Sequence, residues 1–414
     1  MRAAPPLPDS AAPVFRRRVF YIPGYDPFHP RRYRELYRRE GAAQATLSGY
    51  RLHQRKAASP YGWQVTAEIE GRQVETEIEV LVWSDIVRTT MDGSILGTYA
   101  QLVRTAWAYI GSGALFGLMR LRKGPIIAAL YPILALILQA FLAAAAGGSL
   151  WALSVWLLPG WAGLPLGAVL GGGAFVGVLR GVGGKDGIFY AWFLMQDFSY
   201  SAVQNGANPP ELEARMSDFV KQIRSSLTCG VDEVLVIGHS SGAHLGVSVL
   251  ADLIRAGLPE GAAPLSFLSL GQVVPMVSFL PGASRLRSDL RLMGRQDQVA
   301  WVDVTAPGDG CAFALCDPVA VSGVAGPGQR WPLVLSAAFS QTLRPETWAR
   351  LKRRYFRLHF QYLCVFDALP GRADDYDYFR ITAGPMTLWQ RLGTRPPSKS
   401  RIDRAVNRHN SLQP

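Results

Sequence analysis

The sequence predicts an α/β fold, a mostly parallel sheet with flanking helices, interrupted by a transmembrane helical hairpin. Three observations predict it. Toward the C-terminus, continuous apolar runs alternate with amphipathic helical stretches, the order expected of a parallel sheet covered on both faces. A 56-residue stretch from Gly124 to Leu179 carries no Asp, Glu, Lys, Arg or His, enough for two spans of about 20 residues each. Finally, Gly238-His239-Ser240-Ser241-Gly242 follows an apolar run and opens a helical pattern.

Composition sets the bounds. The chain has 414 residues, 49% of them hydrophobic, and a formal net charge of +12. That charge suits a protein beside anionic lipid headgroups, and no basic run interleaved with aromatics points to nucleic acid. The clusters Arg16 to Arg18, Arg31-Arg32 and Lys352 to Arg354 read as solvated faces or strand flanks. Four cysteines, Cys229, Cys311, Cys316 and Cys364, lack the paired spacing of a metal site or a disulfide framework. Free thiols on the cytosolic side, no metal and no cofactor are expected.

Residues 1–13 lack the apolar core of a secretory signal, and their Pro/Ala content reads as a disordered lead. Residues 14–100 form the first part of a soluble domain. It opens with a short apolar strand, Val19 to Ile22, that stops at Pro23-Gly24, and a basic helix follows from about Pro30 to Glu40. Trp63 to Glu70 and Val74 to Val82 alternate apolar and acidic residues around Gly71-Arg72-Gln73, the period-2 pattern of a half-exposed hairpin. Glu68, Glu70, Glu75 and Glu77 are thereby assigned to the solvent face.

Residues 101–186 hold the membrane segment. Thr105 to Met119 is uncharged but short for a span, so an interfacial helix is expected, with a third span as the alternative. Pro125 to Ala146 is the first span, ended by Gly147-Gly148-Ser149; Ala162 to Leu179 is the second. Trp151, Trp156 and Trp161 around Pro159-Gly160 suit an interfacial aromatic belt and a turn. Gly167 and Gly171, then Gly173 and Gly177, recur at the spacing that lets helix backbones meet, packing the hairpin or, alternatively, a dimer. Arg120, Arg122 and Lys123 before the hairpin and Arg180 and Lys185 after it put both soluble parts in the cytoplasm.

Residues 187–395 continue the soluble domain. Glu211 to Leu227 is an amphipathic helix, with Leu212, Met216, Phe219 and Ile223 on one stripe. Glu233 to Ile237, Leu265 to Leu270 and Val299 to Thr305 are strands; Gly242 to Ile254 and Arg285 to Met293 are helices. Residues 396–414 form a polar tail that reads as disordered.

A buried strand, Gly-x-Ser-x-Gly and then a helix is the context of a nucleophile elbow, with Gly238 and Gly242 permitting the sharp turn that presents Ser240. Here the chain resembles the α/β-hydrolase superfamily over roughly residues 14–100 and 187–390. The resemblance implies a triad in the order serine, acid, histidine. A serine hydroxyl needs an imidazole to take its proton, and the imidazole needs a carboxylate to fix its tautomer. The acid is expected after VAWVDVT, where Asp309 stands, with Asp303 and Asp317 as alternatives. Only His359 and His409 follow, and His409 lies in the polar tail. The oxyanion hole falls to the backbone N–H of Ser241 and that of Tyr25, in Pro23-Gly24-Tyr25-Asp26, where the superfamily's usual His-Gly is absent; Asp26 reads as a turn or capping residue.

The resemblance thus implies a membrane-anchored serine hydrolase that needs no cofactor and cleaves an ester or thioester, lipid-like because the bilayer is at hand. A catalytically inactive membrane scaffold or binding module, and an acyltransferase using the same triad, are the alternatives.

Overall fold

The computed structural model of the chain describes residues 13–91, 94–183, 191–368 and 376–413. The expected lead, apart from Pro13, and Lys185 lie outside these residues. Eight strands form one sheet: β1 (Arg16–Ile22), β2 (Arg51–Lys56), β3 (Gly62–Ile69), β4 (Arg72–Val80), β5 (Glu233–His239), β6 (Leu265–Leu270), β7 (Val299–Thr305) and β8 (Leu333–Ser336). Their order is β2-β3-β4-β1-β5-β6-β7-β8. β1 runs parallel to β4 and β5, and β5 through β8 are parallel throughout. β3 is antiparallel to both its neighbours, so the sheet is mixed, as the β3–β4 hairpin demands.

Each face of the sheet has its own core. One is covered by α-helices Pro210–Ser226, Gly242–Arg255 and Ser284–Met293, with Leu212, Met216, Phe219 and Ile223 buried against Val234, Val236 and Phe267. The other is covered by helix α1 (Arg31–Ser48), whose Tyr33 and Tyr37 pack with Val19, Tyr21, Leu235 and Tyr362. β5, β6 and β7 are buried along their whole length, as strands covered on both faces must be. Arg17 departs from the solvated reading of its cluster. It is buried on the central strand, and its Nε donates to Glu233 at 2.7 Å while its two other nitrogens donate to the carbonyls of Gly384 and Met386. The pleat turns alternate residues of β1 inward, so position 17 has to carry its charge into the core and find partners there.

Two helices are long and apolar enough to cross a membrane: α2 (Lys123–Leu157) and α3 (Gly160–Gly183). α2 runs straight through Gly147-Gly148-Ser149, so the expected stop there is not made. Glycine costs a helix only about 1 kcal/mol, less than leaving backbone groups unpaired in apolar surroundings. Gly147 has a packing reason instead, whereas Gly148 faces open space. A Cβ at Gly147 would stand 2.7 Å from the Gly171 carbonyl oxygen, and one at Gly171 would stand 2.6 Å from that of Gly147. Gly167 lies against Trp151, whereas Gly173 and Gly177 face open space, so the first small-residue pair builds the hairpin contact and the second does not. The outer faces stay uncovered, with Leu134 65%, Phe141 68% and Val169 71% exposed. A core hairpin of a soluble protein would bury them.

At 35 residues, α2 is about 52 Å long, longer than the about 30 Å of a hydrocarbon layer. Pro125, Ile126 and Pro132 are buried at its foot. Upstream, the segment from Ile95 to Leu118 is broken into a helix, a π turn at Trp107–Gly111 and a short helix from Ala114, with Gly113 left-handed between the last two. Among the described residues it contains no helix long and apolar enough to cross a membrane. Leu96, Val103, Trp107 and Phe116 on it are exposed.

The polar tail is laid along the body rather than left free. Ile402 N–H donates to Leu315 O at 2.7 Å, Asp317 N–H donates to Ile402 O at 2.8 Å, and Asn407 Nδ2 donates to Ser278 O at 3.0 Å. Its His409 lies 2.9 Å from the Ser112 carbonyl, clasping the pre-hairpin segment and far in role from the serine.

Candidate active site

Ser240 sits between β5 and the helix Gly242–Arg255 with φ +57. A non-glycine residue held left-handed is strained, and such strain concentrates at functional turns. Its backbone N–H donates to Leu270 O at 2.9 Å, fixing the turn to β6. The flanking glycines are sterically required. A Cβ at Gly238 would stand 2.6 Å from Gly242 O, and one at Gly242 would stand 2.1 Å from Ile22 O. Gly24, after β1, lies so close that a Cβ there would be 2.9 Å from the Ser240 Cβ.

Asp309 lies in the loop after β7, and His359 ends the short helix Tyr355–His359. His359 Nδ1 donates to Asp309 Oδ2 at 2.7 Å. Tyr362 OH donates to the same oxygen at 3.0 Å, and Cys311 N–H donates to Oδ1 at 2.9 Å. Burial alone would raise the Asp309 pKa, but His359 and these hydrogen bonds outweigh it and hold the carboxyl below its usual range. With Nδ1 committed, His359 Nε2 is the free nitrogen; it is buried and has no protein partner. Ser240 and His359 line one cavity of about 950 Å³. Their side chains share that space without a hydrogen bond between them, a contact that commonly tightens only when substrate is bound.

Neither the Ser241 nor the Tyr25 backbone N–H donates to another backbone group among the described residues. The Asp26 side chain accepts from Phe28 N–H at 2.9 Å and from Arg32 at 3.2 Å, and Tyr33 OH donates to it as well, which is the work of a turn residue. Asp317 caps the short helix that begins at Pro318, accepting from the N–H groups of Val319 and Ala320.

Asp303 is buried inside β7, where Ser269 Oγ donates to it at 2.6 Å. Burial pushes its pKa up to about 8 against that hydrogen bond. A folded pKa above the unfolded value of about 4 gives stability that is complete below pH 4 and lost as pH rises toward 8. The melting temperature is therefore expected to fall between pH 5 and pH 8.5, and Asp303→Asn should remove at least half of that fall; an unchanged fall would rule out Asp303 as its source.

Three groups at the site escape sequence reasoning. His239, adjacent to the serine, is fully buried and held neutral, its pKa lowered to about 3 chiefly by desolvation. Its Nε2–H donates to the His359 carbonyl at 3.0 Å, and the two rings lie 4.8 Å apart, so it backs the imidazole rather than competing with it. Tyr362 is the second donor to the acid. Asp197, on helix α4 (Ala191–Ala202) beyond the hairpin, lines the cavity with Ser240 and His359. The alternating burial of strands signals none of these; only their closeness to the predicted motifs in the chain marked the first two.

A carboxylate, a thiol and an imidazole, those of Asp309, Cys311 and His359, lie within 4.8 Å of one another. Their chemistry could hold a divalent metal, but Nδ1 is already bound to the acid, and burial holds the Cys311 thiol well above its usual range. The donor set fits a hydrogen-bonded acid–imidazole pair better. The cavity walls are largely apolar, with Val273, Met276 and Phe313 from the body and Pro125 and Ala128 from the foot of α2. No family model, curated protein or solved structure matches this chain.

Proposed function

We propose that the chain is a membrane-anchored serine hydrolase of the α/β-hydrolase kind that cleaves an ester or thioester of a lipid-like substrate through an acyl-enzyme. One observation carries the reading: a serine in strained left-handed geometry opens on the same cavity as an imidazole whose other nitrogen is bonded to a buried carboxylate at 2.7 Å. In the reaction, His359 Nε2 takes the Ser240 proton as Oγ attacks the carbonyl carbon. The oxyanion is received by the Ser241 and Tyr25 N–H groups, and the alcohol leaves with the proton from His359. Water then repeats the sequence on the acyl-enzyme and returns the acid.

The substrate class follows from the walls. Pro125 and Ala128 belong to the helix that continues into the hairpin, and Arg180 at the end of the second long helix stands at the same cavity. A cavity walled by the foot of a membrane hairpin receives amphiphiles from the bilayer, and the positive flanks put it on the cytoplasmic side.

A fluorophosphonate probe is expected to label the purified full-length protein at Ser240, and the protein should stay with membranes through an alkaline wash. Absence of labelling on folded protein would favour the scaffold reading, which the missing Ser240–His359 hydrogen bond speaks for. Release by alkali would remove the anchor.

A further inference from the structure

We propose that Asp197 binds the alcohol part of the substrate through its hydroxyl groups, so that the ester presented to Ser240 is one of a long-chain acid with a polyol. This rests on the serine-hydrolase reading above. The helix Ala191–Ala202 follows the hairpin in the chain and is bound to it on one side: Met195 is 1% exposed in a cluster with Leu102 and Leu136. On its other side Asp197 faces the cavity between Phe193, Leu194 and Phe198.

Among the described residues the Asp197 carboxyl has the Ser241 hydroxyl as its one side-chain partner, and its backbone carbonyl accepts from Ser201 at 3.5 Å. His359 Nε2, at the same cavity, is buried without a protein partner. Desolvation pushes the Asp197 pKa up to about 7, against the lowering influence of His359 and of the Ser241 hydrogen bond. A carboxyl with a single hydroxyl partner and an imidazole nitrogen with none, both at one largely apolar cavity, describe a site that a ligand completes.

The position assigns the ligand's end. His359 Nε2 delivers its proton to the leaving oxygen, so a group beside His359 flanks the alcohol portion. The acyl chain is left the apolar wall of Val273, Met276 and Phe313 running to the hairpin foot. The chemistry assigns the ligand's kind. A carboxyl whose charge is disfavoured by burial both donates and accepts, which matches hydroxyl groups, whereas an ammonium group needs the full carboxylate. Three of the cavity's cations are engaged elsewhere, Arg32 by Asp26 and both Arg39 and Arg357 by Glu40, while Arg180 stands at the hairpin foot.

The test separates binding from cleavage. In full-length Ser240→Ala protein in detergent micelles, an uncleavable 1-O-alkylglycerol ether and the alkyl methyl ether of the same chain compete against a fluorescent fatty-acid methyl ester. The glycerol ether should bind about tenfold more tightly, Asp197→Leu should erase that preference, and Asp197→Asn should keep most of it. In protein with Ser240 intact, Asp197→Leu should raise KM for monoacylglycerol more than it lowers kcat. An unchanged preference in Asp197→Leu, or no preference at all, overturns the proposal. Monoacylglycerol cleavage no faster than that by Ser240→Ala would sink the hydrolase reading and leave the binding preference as its own result.

Discussion

Replacing Ser240 by alanine is expected to lower kcat for ester hydrolysis by about 10⁵-fold, with KM changed little, and His359→Ala should do the same. The two residues act on one proton, so the double variant should be no worse than either single one. Asp309→Asn is the more informative change, with an expected loss of about 10⁴-fold. All three groups around this carboxylate are donors: His359 Nδ1, Tyr362 OH and Cys311 N–H. An amide NH₂ would have to face a donor wherever it points, so the imidazole loses either its orientation or its tautomer. The measurement is steady-state hydrolysis of a medium-chain p-nitrophenyl ester by the purified protein, with folding checked by melting temperature. If Ser240→Ala retains more than about a hundredth of the wild-type kcat, Ser240 is not the nucleophile. Loss in the serine variant with full activity in His359→Ala would keep the elbow and dismiss the base.

Much of the sheet is legible because burial writes it into the chain. β5, β6 and β7 are predominantly apolar runs, and β6 and β7 have the ends the sequence predicts because both faces of each are covered. β2 is not legible. RLHQRK is polar and mostly exposed, and its strand state comes from pairing with β3 rather than from its own side chains. β8, with only four residues beside Trp331-Pro332, is too short to show a period. The helix boundary at Gly147 misleads for a related reason: glycine marks a stop in water, but against Gly171 it marks a contact. At the site, a motif and the serine–acid–histidine order name Ser240, Asp309 and His359 as candidates. Asp197 precedes the serine on a helix beyond the hairpin, so neither spacing nor order points to it; only folding brings it to the cavity. His239 is visible in the motif, yet its role as the support of His359 depends on a carbonyl 120 residues away.

Gly242→Ala is expected to destabilise the protein by about 3 kcal/mol or more, at the upper end of what added volume does in a packed interior. The added methyl would meet the Ile22 carbonyl oxygen at 2.1 Å and the Pro23 carbonyl oxygen at 2.7 Å. Both are backbone atoms, so no rotamer change relieves the contact. They also belong to the end of β1, the strand at the middle of the sheet, whose neighbours β4 and β5 hold it by parallel pairing on both sides. The helix that starts at Gly242 would have to lift from the sheet, and with it the Ser241 N–H; the displaced loop carries Tyr25, the other proposed oxyanion donor. Stability and hydrolysis should therefore fall together, the melting temperature by at least about 3 °C and activity to a small remainder even below that temperature. Gly173→Ala is the matched control, since nothing lies within 4 Å of its added methyl, and it should change neither. A Gly242→Ala protein with wild-type melting and activity would mean that the strand and the helix at the elbow do not approach as closely as the fold requires. The strained serine would then lose the constraint that aims it at the cavity.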